Sequence, residues 1–243
     1  MSKMKEILVF NPTEQEHASC SKHLASARFN NFKTRAVLTG PGKINATYTM
    51  AGEIQHMRYK GEDPLLVVGA GTAGSLDRHL KSGDLIISAS SFISDWVMED
   101  GDIYQHAMYG DLSYLPLCCE TLEGLYICCE DEQVQKLLAA MRNKNMLAGN
   151  LMTSDTFVAG VQNKLERGEK FNCLACDMES GVFGFLANSK FSGLPWFNLR
   201  VVADTIEHGF DDYAEMEADM TEILAYGLVN SLETFDSMLD GDK

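Results

Sequence analysis

Short, wholly apolar runs alternate along the chain with longer segments in which apolar residues recur at helical spacing. Residues 6–10 (EILVF) predict a buried strand, and residues 14–28, with Ala18, Leu24 and Ala25 at apolar or small positions, predict a helix. A strand follows at 35–38. Beyond Gly40-Pro41-Gly42 the spacing of Ile44, Tyr48, Ala51, Ile54 and Met57 predicts a helix over 43–59. Residues 64–69 (PLLVVG) are continuously apolar, as a strand covered on both faces must be, and residues 84–91 predict the next strand. The stretch 95–109 is polar and irregular and reads as a long loop. In the second half, strands are predicted at 125–129, 146–153, 174–178 and 196–202, and helices at 131–143, 179–191 and 211–239. Met216, Met220, Ile223, Leu224, Leu228 and Leu232 form one side of that last helix. Strands and helices alternate without a Pro- or Ser-rich linker or an internal repeat, so the class is α/β, one domain over residues 1–243.

Charge narrows the partners. Lys and Arg number 20 against 35 Asp and Glu, a formal net charge of −15. Such a field repels phosphate backbones and anionic lipid, so neither nucleic acid nor a membrane surface is an expected partner. The N-terminal apolar run stops at Asn11 and is too short for a signal peptide, and no later run reaches the length of a membrane span. A cytoplasmic protein is expected. The seven cysteines are an odd number and include the neighbours Cys118-Cys119 and Cys128-Cys129, a poor basis for a disulfide framework. Cys173-x-x-Cys176 has neither a second pair nor a His pair to complete a metal site, so no metal is expected.

Ligands of open α/β sheets bind at the carboxyl ends of strands, and four predicted strand ends carry unusual residues. The first leads to Glu14 and Glu16, the third to Gly69-Ala70-Gly71-Thr72-Ala73-Gly74-Ser75, a later one to Asp177-Met178-Glu179, and the last to Asp204. Gly69, Gly71 and Gly74 spell a dinucleotide motif, but that motif follows the first strand of its unit, with an acidic residue about 20 residues on, whereas here it follows the third strand and leads to Leu76-Asp77-Arg78-His79 and soon to Gly83-Asp84. The glycines instead suggest a tight turn that brings backbone N–H groups to a ligand. Glu16 and Glu179 at helix starts are explained locally by the helix dipole. Asp204 ends the apolar run Val201-Val202-Ala203, where desolvation would hold its proton closer to neutral pH and suit a general acid. Arg200 is expected on the same strand face, two pleats back, where it could equally be a structural counter-charge.

Taken in order, Glu16, Gly40-x-Gly42-Lys43, Gly71-Thr72-Ala73-Gly74, Gly83-Asp84, Ser154-Asp155-Thr156-Phe157, Asp177-Met178-Glu179 and Arg200-Val201-Val202-Ala203-Asp204 resemble the nucleoside phosphorylase/nucleosidase superfamily. Within it, the likeness is to bacterial 5′-methylthioadenosine/S-adenosylhomocysteine nucleosidases and covers about residues 7–213. The resemblance implies a three-layer α/β/α fold around a mixed, twisted sheet. It also implies that Glu16 activates water, that Glu179 binds the ribose hydroxyls with Met178 against the sugar, and that Asp204 protonates purine N7. Phe157 would stack on the base, and the backbone of Val158 would read its edge. Thr72 would help hold the water with Arg200 nearby, and Phe210 would close over the ligand. The chain departs from the family's pattern at Thr13, Asp177 and Ala203.

Cleaving a purine N-glycosidic bond leaves positive charge on the sugar and negative charge on the base, which an acid at N7 and a carboxylate at the ribose would stabilise. An acid at position 16 suits water as nucleophile and opposes phosphate. In the superfamily's phosphorylases an Arg accompanies the Gly-Asp after the Gly-rich segment or follows about nine residues on; those places hold Gly83 and Ile93. The implied substrate is a small-molecule purine nucleoside and no cofactor is needed. The alternatives are a purine nucleoside phosphorylase and a hydrolase of another purine nucleoside such as futalosine. Relatives complete the pocket with a neighbour's residues, and Tyr48, Met50 and Met57 broaden the apolar face of the second helix, so a homodimer is expected.

Overall fold

The computed structural model describes residues 4–100, 103–106, 118–119, 126–191, 193–207 and 210–241; of 96–100, 103–106, 118–119 and 210–217 the backbone alone is described. The chain runs β1 (Lys5–Asn11), α1 (Glu14–Ser26), β2 (Phe32–Leu38), α2 (Lys43–Tyr59), β3 (Leu66–Ser75), β4 (Leu85–Ser88) and β5 (Ser90–Ile93). It continues through β6 (Val97–Asp100), β7 (Ile103–His106), β8 (Cys118–Cys119), β9 (Ile127–Cys128), α3 (Glu132–Arg142), β10 (Leu147–Ala148) and β11 (Leu151–Thr153). It ends with α4 (Val161–Phe171), β12 (Ala175–Asp177), α5 (Ser180–Ser189), β13 (Trp196–Asp204) and α6 (Phe210–Gly241).

Ten strands form one mixed sheet along the path β10-β4-β13-β3-β12-β11-β5-β9, with β1 joining β3 and β2 joining β1. The central strands β1, β3 and β13 are almost uniformly buried, because helices cover both faces. α1, α3 and α6 pack together on one side, and α2 and α5 on the other. Every residue from Ser180 to Ala187 of α5 is buried; this helix lies between the sheet and α2, which explains its apolar character all round.

Three predicted elements differ in detail. Residues 84–91 are two strands, β4 and β5, which pair with different neighbours. Residues 146–153 likewise divide into β10 and β11. The stretch 95–109, expected as an irregular loop, contains the antiparallel pair β6–β7, which β8 extends. Helix α4 was not predicted, because its sequence is largely polar. The predicted apolar face of α2 is also rotated. Ala46, Met50, Ile54 and Met57 face the core, whereas Ile44 and Tyr48 are 82% and 83% exposed.

The Gly-rich segment is not a turn. Gly69, Gly71 and Gly74 lie within the ten-residue strand β3, and none has a positive φ. Their lack of a side chain makes room for others. A Cβ on Gly69 would stand 2.3 Å from Asn198 Oδ1, and one on Gly71 would stand 2.2 Å from Arg200 Nη1. Arg200 pairs across the sheet with Gly71, so its guanidinium folds over the strand where a side chain would otherwise stand. Gly71→Ala is therefore expected to destabilise the protein by about 1–3 kcal/mol, the usual cost of overpacking. Urea denaturation measures this, and an unchanged midpoint would contradict the packing account.

Candidate active site

The site begins with a fork in the sheet. Along one edge β3 pairs continuously with β13, but along the other it pairs with β1 only up to Gly69 and with β12 only from Gly74. Ala70 to Ala73 therefore have no strand partner on that edge. Asn11 Nδ2 donates to the Ala70 carbonyl at 2.8 Å, and Glu16 Oε1 accepts from Thr72 N at 2.7 Å. The ends of β1, β12 and β13 meet around this gap, at the kind of switch point where open sheets bind ligands. The cleft there is lined by Thr13 and Glu16, by Thr72 to Gly74, by Thr156 to Val158, by Cys176 to Glu179 and by Asp204.

Glu16 is 1% exposed and has two tasks. Its Oε2 accepts from Thr13 N at 2.9 Å while Thr13 Oγ1 accepts from Glu16 N at 3.2 Å, a capping box that starts α1. Its Oε1 accepts from both Thr72 N and Thr72 Oγ1, the latter at 2.9 Å. The local explanation of Glu16 as a helix-start acid is thus correct, and the same geometry holds its carboxylate at the cleft.

Glu179 stands at the N-cap of α5, yet its side chain caps nothing in that helix. Instead Oε1 accepts from Gly42 N at 2.7 Å, and Oε2 lies 3.7 Å from Arg200 Nη2. Burial pushes its pKa up to about 8, against the opposing pull of Arg200; Asp177 adds to the rise, the Gly42 N–H opposes it and Glu16 adds slightly more. Asp177 organises this corner. Its Oδ1 accepts from Thr153 Oγ1 at 2.7 Å, Glu179 N at 3.2 Å and Ser180 N at 3.1 Å. Its Oδ2 lies 2.6 Å from Arg200 Nε and accepts from the Ser180 hydroxyl. Arg200 is fully buried, and its Nη1 and Nη2 have no hydrogen-bond acceptor among the described residues.

The sequence places Arg200 and Asp204 on one strand face, but an irregularity separates them. Arg200 pairs with Gly71, Val202 with Ala73 and Asp204 with Gly74, so Ala203 is an extra residue. Side chains alternate along a strand, and this bulge turns Asp204 to the other face. Its surroundings are not the apolar ones expected. Lys164 Nζ, on α4, lies 2.7 Å from Asp204 Oδ2 and donates to the Thr205 carbonyl at 2.7 Å. Nothing in the sequence around Lys164 distinguishes it from Lys170, which is exposed; only the packing of α4 buries it.

Phe157 is 47% exposed at the cleft, whereas Val158 is buried. Their loop is tied to α2, since Asp155 Oδ1 accepts from Lys43 N at 3.1 Å and Oδ2 lies 3.2 Å from Lys43 Nζ, which also pairs with Asp95. Met178 forms part of the wall. Thus Glu16, Thr72, Phe157, Val158, Met178, Glu179 and Asp204 line one cleft, with Arg200 behind Glu179. Phe210 opens α6, but its side chain lies outside the described residues, as do those of 96–117. Cys173 and Cys176 are buried in a small apolar cluster with Leu76, Phe92, Met152, Val158 and Phe171. Burial raises the Cys176 thiol to about 12. No helix among the described residues is long and apolar enough to cross a membrane.

Comparison with known proteins agrees with this architecture. Residues 10–226 match the model of the phosphorylase superfamily, and the chain belongs to that family. It is 22% identical over 206 residues to the 5′-methylthioadenosine/S-adenosylhomocysteine nucleosidase of Staphylococcus aureus (strain bovine RF122 / ET3-1), covering 83% of this chain and 78% of the relative. The fold is similar to that of S-adenosylhomocysteine nucleosidase from Streptococcus pyogenes (TM-score 0.74, 21% identity, 96% and 98% of the two chains). It is similar also to the 5′-methylthioadenosine/S-adenosylhomocysteine nucleosidase of Helicobacter pylori (TM-score 0.72, 19% identity, 96% and 100%). The futalosine hydrolase of Helicobacter pylori is comparably similar (TM-score 0.71, 20% identity, 95% and 98%).

The raised pKa of Glu179 links stability to pH. A carboxyl group that holds its proton more tightly when folded favours folding below the unfolded value, near 4.5, and loses that advantage as pH rises to about 8. Glu179→Gln removes the titration and keeps the size. Its Tm relative to the parent protein is expected to rise progressively between about pH 5 and pH 8 and then level off. A Tm difference independent of pH would show that Glu179 titrates normally.

Proposed function

We propose that this protein hydrolyses the N-glycosidic bond of 5′-methylthioadenosine and S-adenosylhomocysteine, releasing adenine and the 5-thioribose product. The observation that carries this reading is the Glu16 carboxylate, held by Thr72 at the edge of a cleft shared with Glu179 and Asp204. Among the described residues lining that cleft there is neither Lys nor Arg. A site for dianionic phosphate would be expected to present cations there, whereas a water molecule needs a base.

In the proposed reaction Glu16 takes a proton from water as the oxygen attacks the anomeric carbon. Glu179 accepts hydrogen bonds from the ribose hydroxyls, and the positive charge that develops on the sugar favours its ionised form against the burial that raises its pKa. Asp204 delivers a proton to N7, so that the base departs neutral. Phe157 is exposed enough to stack on the purine, the backbone of Val158 reads its edge, Met178 packs against the sugar, and Phe210 closes the cleft. Thr72, with Arg200 behind it, orients the water. The likeness to futalosine hydrolase supports a second reading, hydrolysis of another purine nucleoside by the same groups.

The protein is proposed to act as a one-domain homodimer in the cytoplasm without cofactor. Met50 and Met57 belong to the core and do not bear on the assembly. Ile44 and Tyr48, one turn apart and exposed on α2, supply the apolar surface.

Purified protein is expected to release adenine from methylthioadenosine in phosphate-free buffer, with free sugar as product whether or not phosphate is added; a ribose 1-phosphate product would make it a phosphorylase. Asp204→Asn is expected to lower turnover by about 10²–10⁴-fold while inhibitor affinity stays within about tenfold. Turnover within about threefold of the parent would remove Asp204 from the role of acid. Light scattering is expected to report a dimer that Ile44→Asp/Tyr48→Asp converts to a folded monomer. A parent protein that is monomeric at micromolar concentration and fully active would refute the assembly.

A further inference from the structure

Lys164 is the buried cation that the proposed chemistry has not used. It is 1% exposed, projects from α4, and its ammonium makes two short contacts, to Asp204 Oδ2 and to the Thr205 carbonyl. It does not line the cleft, whereas Asp204 does. A charge this deep survives only where fixed polar groups replace water, and here the carboxylate of Asp204 and the Thr205 carbonyl are two of those groups. α4 is firmly seated, since a Cβ on Gly168, one turn beyond Lys164, would stand 2.2 Å from the Leu76 carbonyl. The helix therefore sets where the Lys164 side chain starts, and its two short contacts hold the ammonium at Asp204.

We propose that Lys164 is a positioning residue for Asp204, keeping it ionised in the resting protein and holding in reserve the proton that Asp204 passes to the departing base. This rests on the nucleosidase reading. The pair carries one transferable proton. An N–H bond of Lys164 breaks as the carboxylate of Asp204 takes the proton. The O–H bond so formed breaks as N7–H forms, and the electron pair of the glycosidic bond stays with the purine. Lys164 is left neutral and Asp204 ionised. Lys164 then regains a proton from solvent, balancing the proton that Glu16 took from water and later releases.

The Cys176 thiol on β12 feels Asp177, Lys164, Asp204 and Arg167, which places these groups around one corner. The Cys176 thiol stays neutral because burial raises it to about 12. Asp177 is committed to Arg200. The positive charge of Lys164, 2.7 Å from Asp204 Oδ2, favours the ionised form of that carboxyl group. Without that charge, burial favours the protonated carboxyl group, and the proton for N7 then comes from a carboxylic acid in place of an ammonium.

The test is the pH profile of kcat/KM for adenine release by the parent protein, Lys164→Met and Lys164→Arg. In Lys164→Met the basic limb is expected to move at least about one unit toward acid, with activity at low pH retained better than activity at high pH. Lys164→Arg, which keeps the charge, is expected to restore the limb. An active Lys164→Met whose limb does not move would overturn the proposal, because a merely structural role lowers the rate without shifting its pH dependence. A second measurement does not require that variant to fold. The 13C carboxyl resonance of Asp204 in the parent protein, assigned by its loss in Asp204→Asn, is expected to report an ionised group at neutral pH; a protonated one would refute the pairing. If the parent releases base from no purine nucleoside, the functional reading fails, while the carboxyl resonance still decides the state of the pair.

Discussion

A fully buried guanidinium at the centre of the sheet dictates much of the rest of this structure. Arg200 lies on β13, flanked by β3 on one side and β4 on the other, where no water can solvate it. Removing such a charge from water costs several kcal/mol unless a partner and hydrogen bonds replace the solvent. Asp177, at the end of β12, is that partner. Gly71 has to be a glycine because the guanidinium occupies the space of its side chain. Ser180 receives an Arg200 N–H and donates to Asp177, so α5 starts on the ion pair, and Glu179 is fixed immediately beside it.

From that arrangement the cleft acquires carboxyl groups in different electrostatic states. Glu16 is held by donors at both oxygens, from the turn before α1 and from β3. Glu179 is dominated by burial and is pushed up despite Arg200. Asp204 faces an ammonium. Carboxyl groups of the same kind can act as base, sugar ligand and acid only if their environments differ, and here the differences arise from which strand end or helix meets each one. The fork in β3 permits this, since a strand paired along Ala70 to Ala73 would take the Thr72 N–H that Glu16 accepts.

Exposed side chains follow the same logic on the outside of the molecule. α2 turns Met50 and Met57 inward and leaves Ile44 and Tyr48 outward, close in sequence to Gly42, whose N–H holds Glu179. The surface proposed for self-association is therefore continuous in the chain with the site. Lys43 extends this link, joining the start of α2 to Asp95 and to the Asp155 loop that carries Phe157.

Most strands and helices were legible in the sequence because a strand buried on both faces must be apolar throughout and an amphipathic helix must repeat its apolar residues. The ordered set of Glu16, Thr72, Phe157, Met178, Glu179, Arg200 and Asp204 was legible too, through resemblance and because acids and glycines at strand ends are conspicuous. Three things were not. The Gly-rich segment looked like a turn, since a sequence does not reveal that Asn198 and Arg200 arrive from another strand to fill the space. The bulge at Ala203 leaves no local mark, so Arg200 and Asp204 seemed to share a face. Lys164 looked like any lysine of a polar stretch, and α4 itself went unpredicted. Sequence by itself determined the elements and the residue types at their ends, because backbone preference and burial act over neighbouring positions. Only the tertiary structure decided which charges meet, because Arg200 with Asp177 and Asp204 with Lys164 join residues more than 20 positions apart whose pairing depends on how β3, β12, β13 and α4 pack.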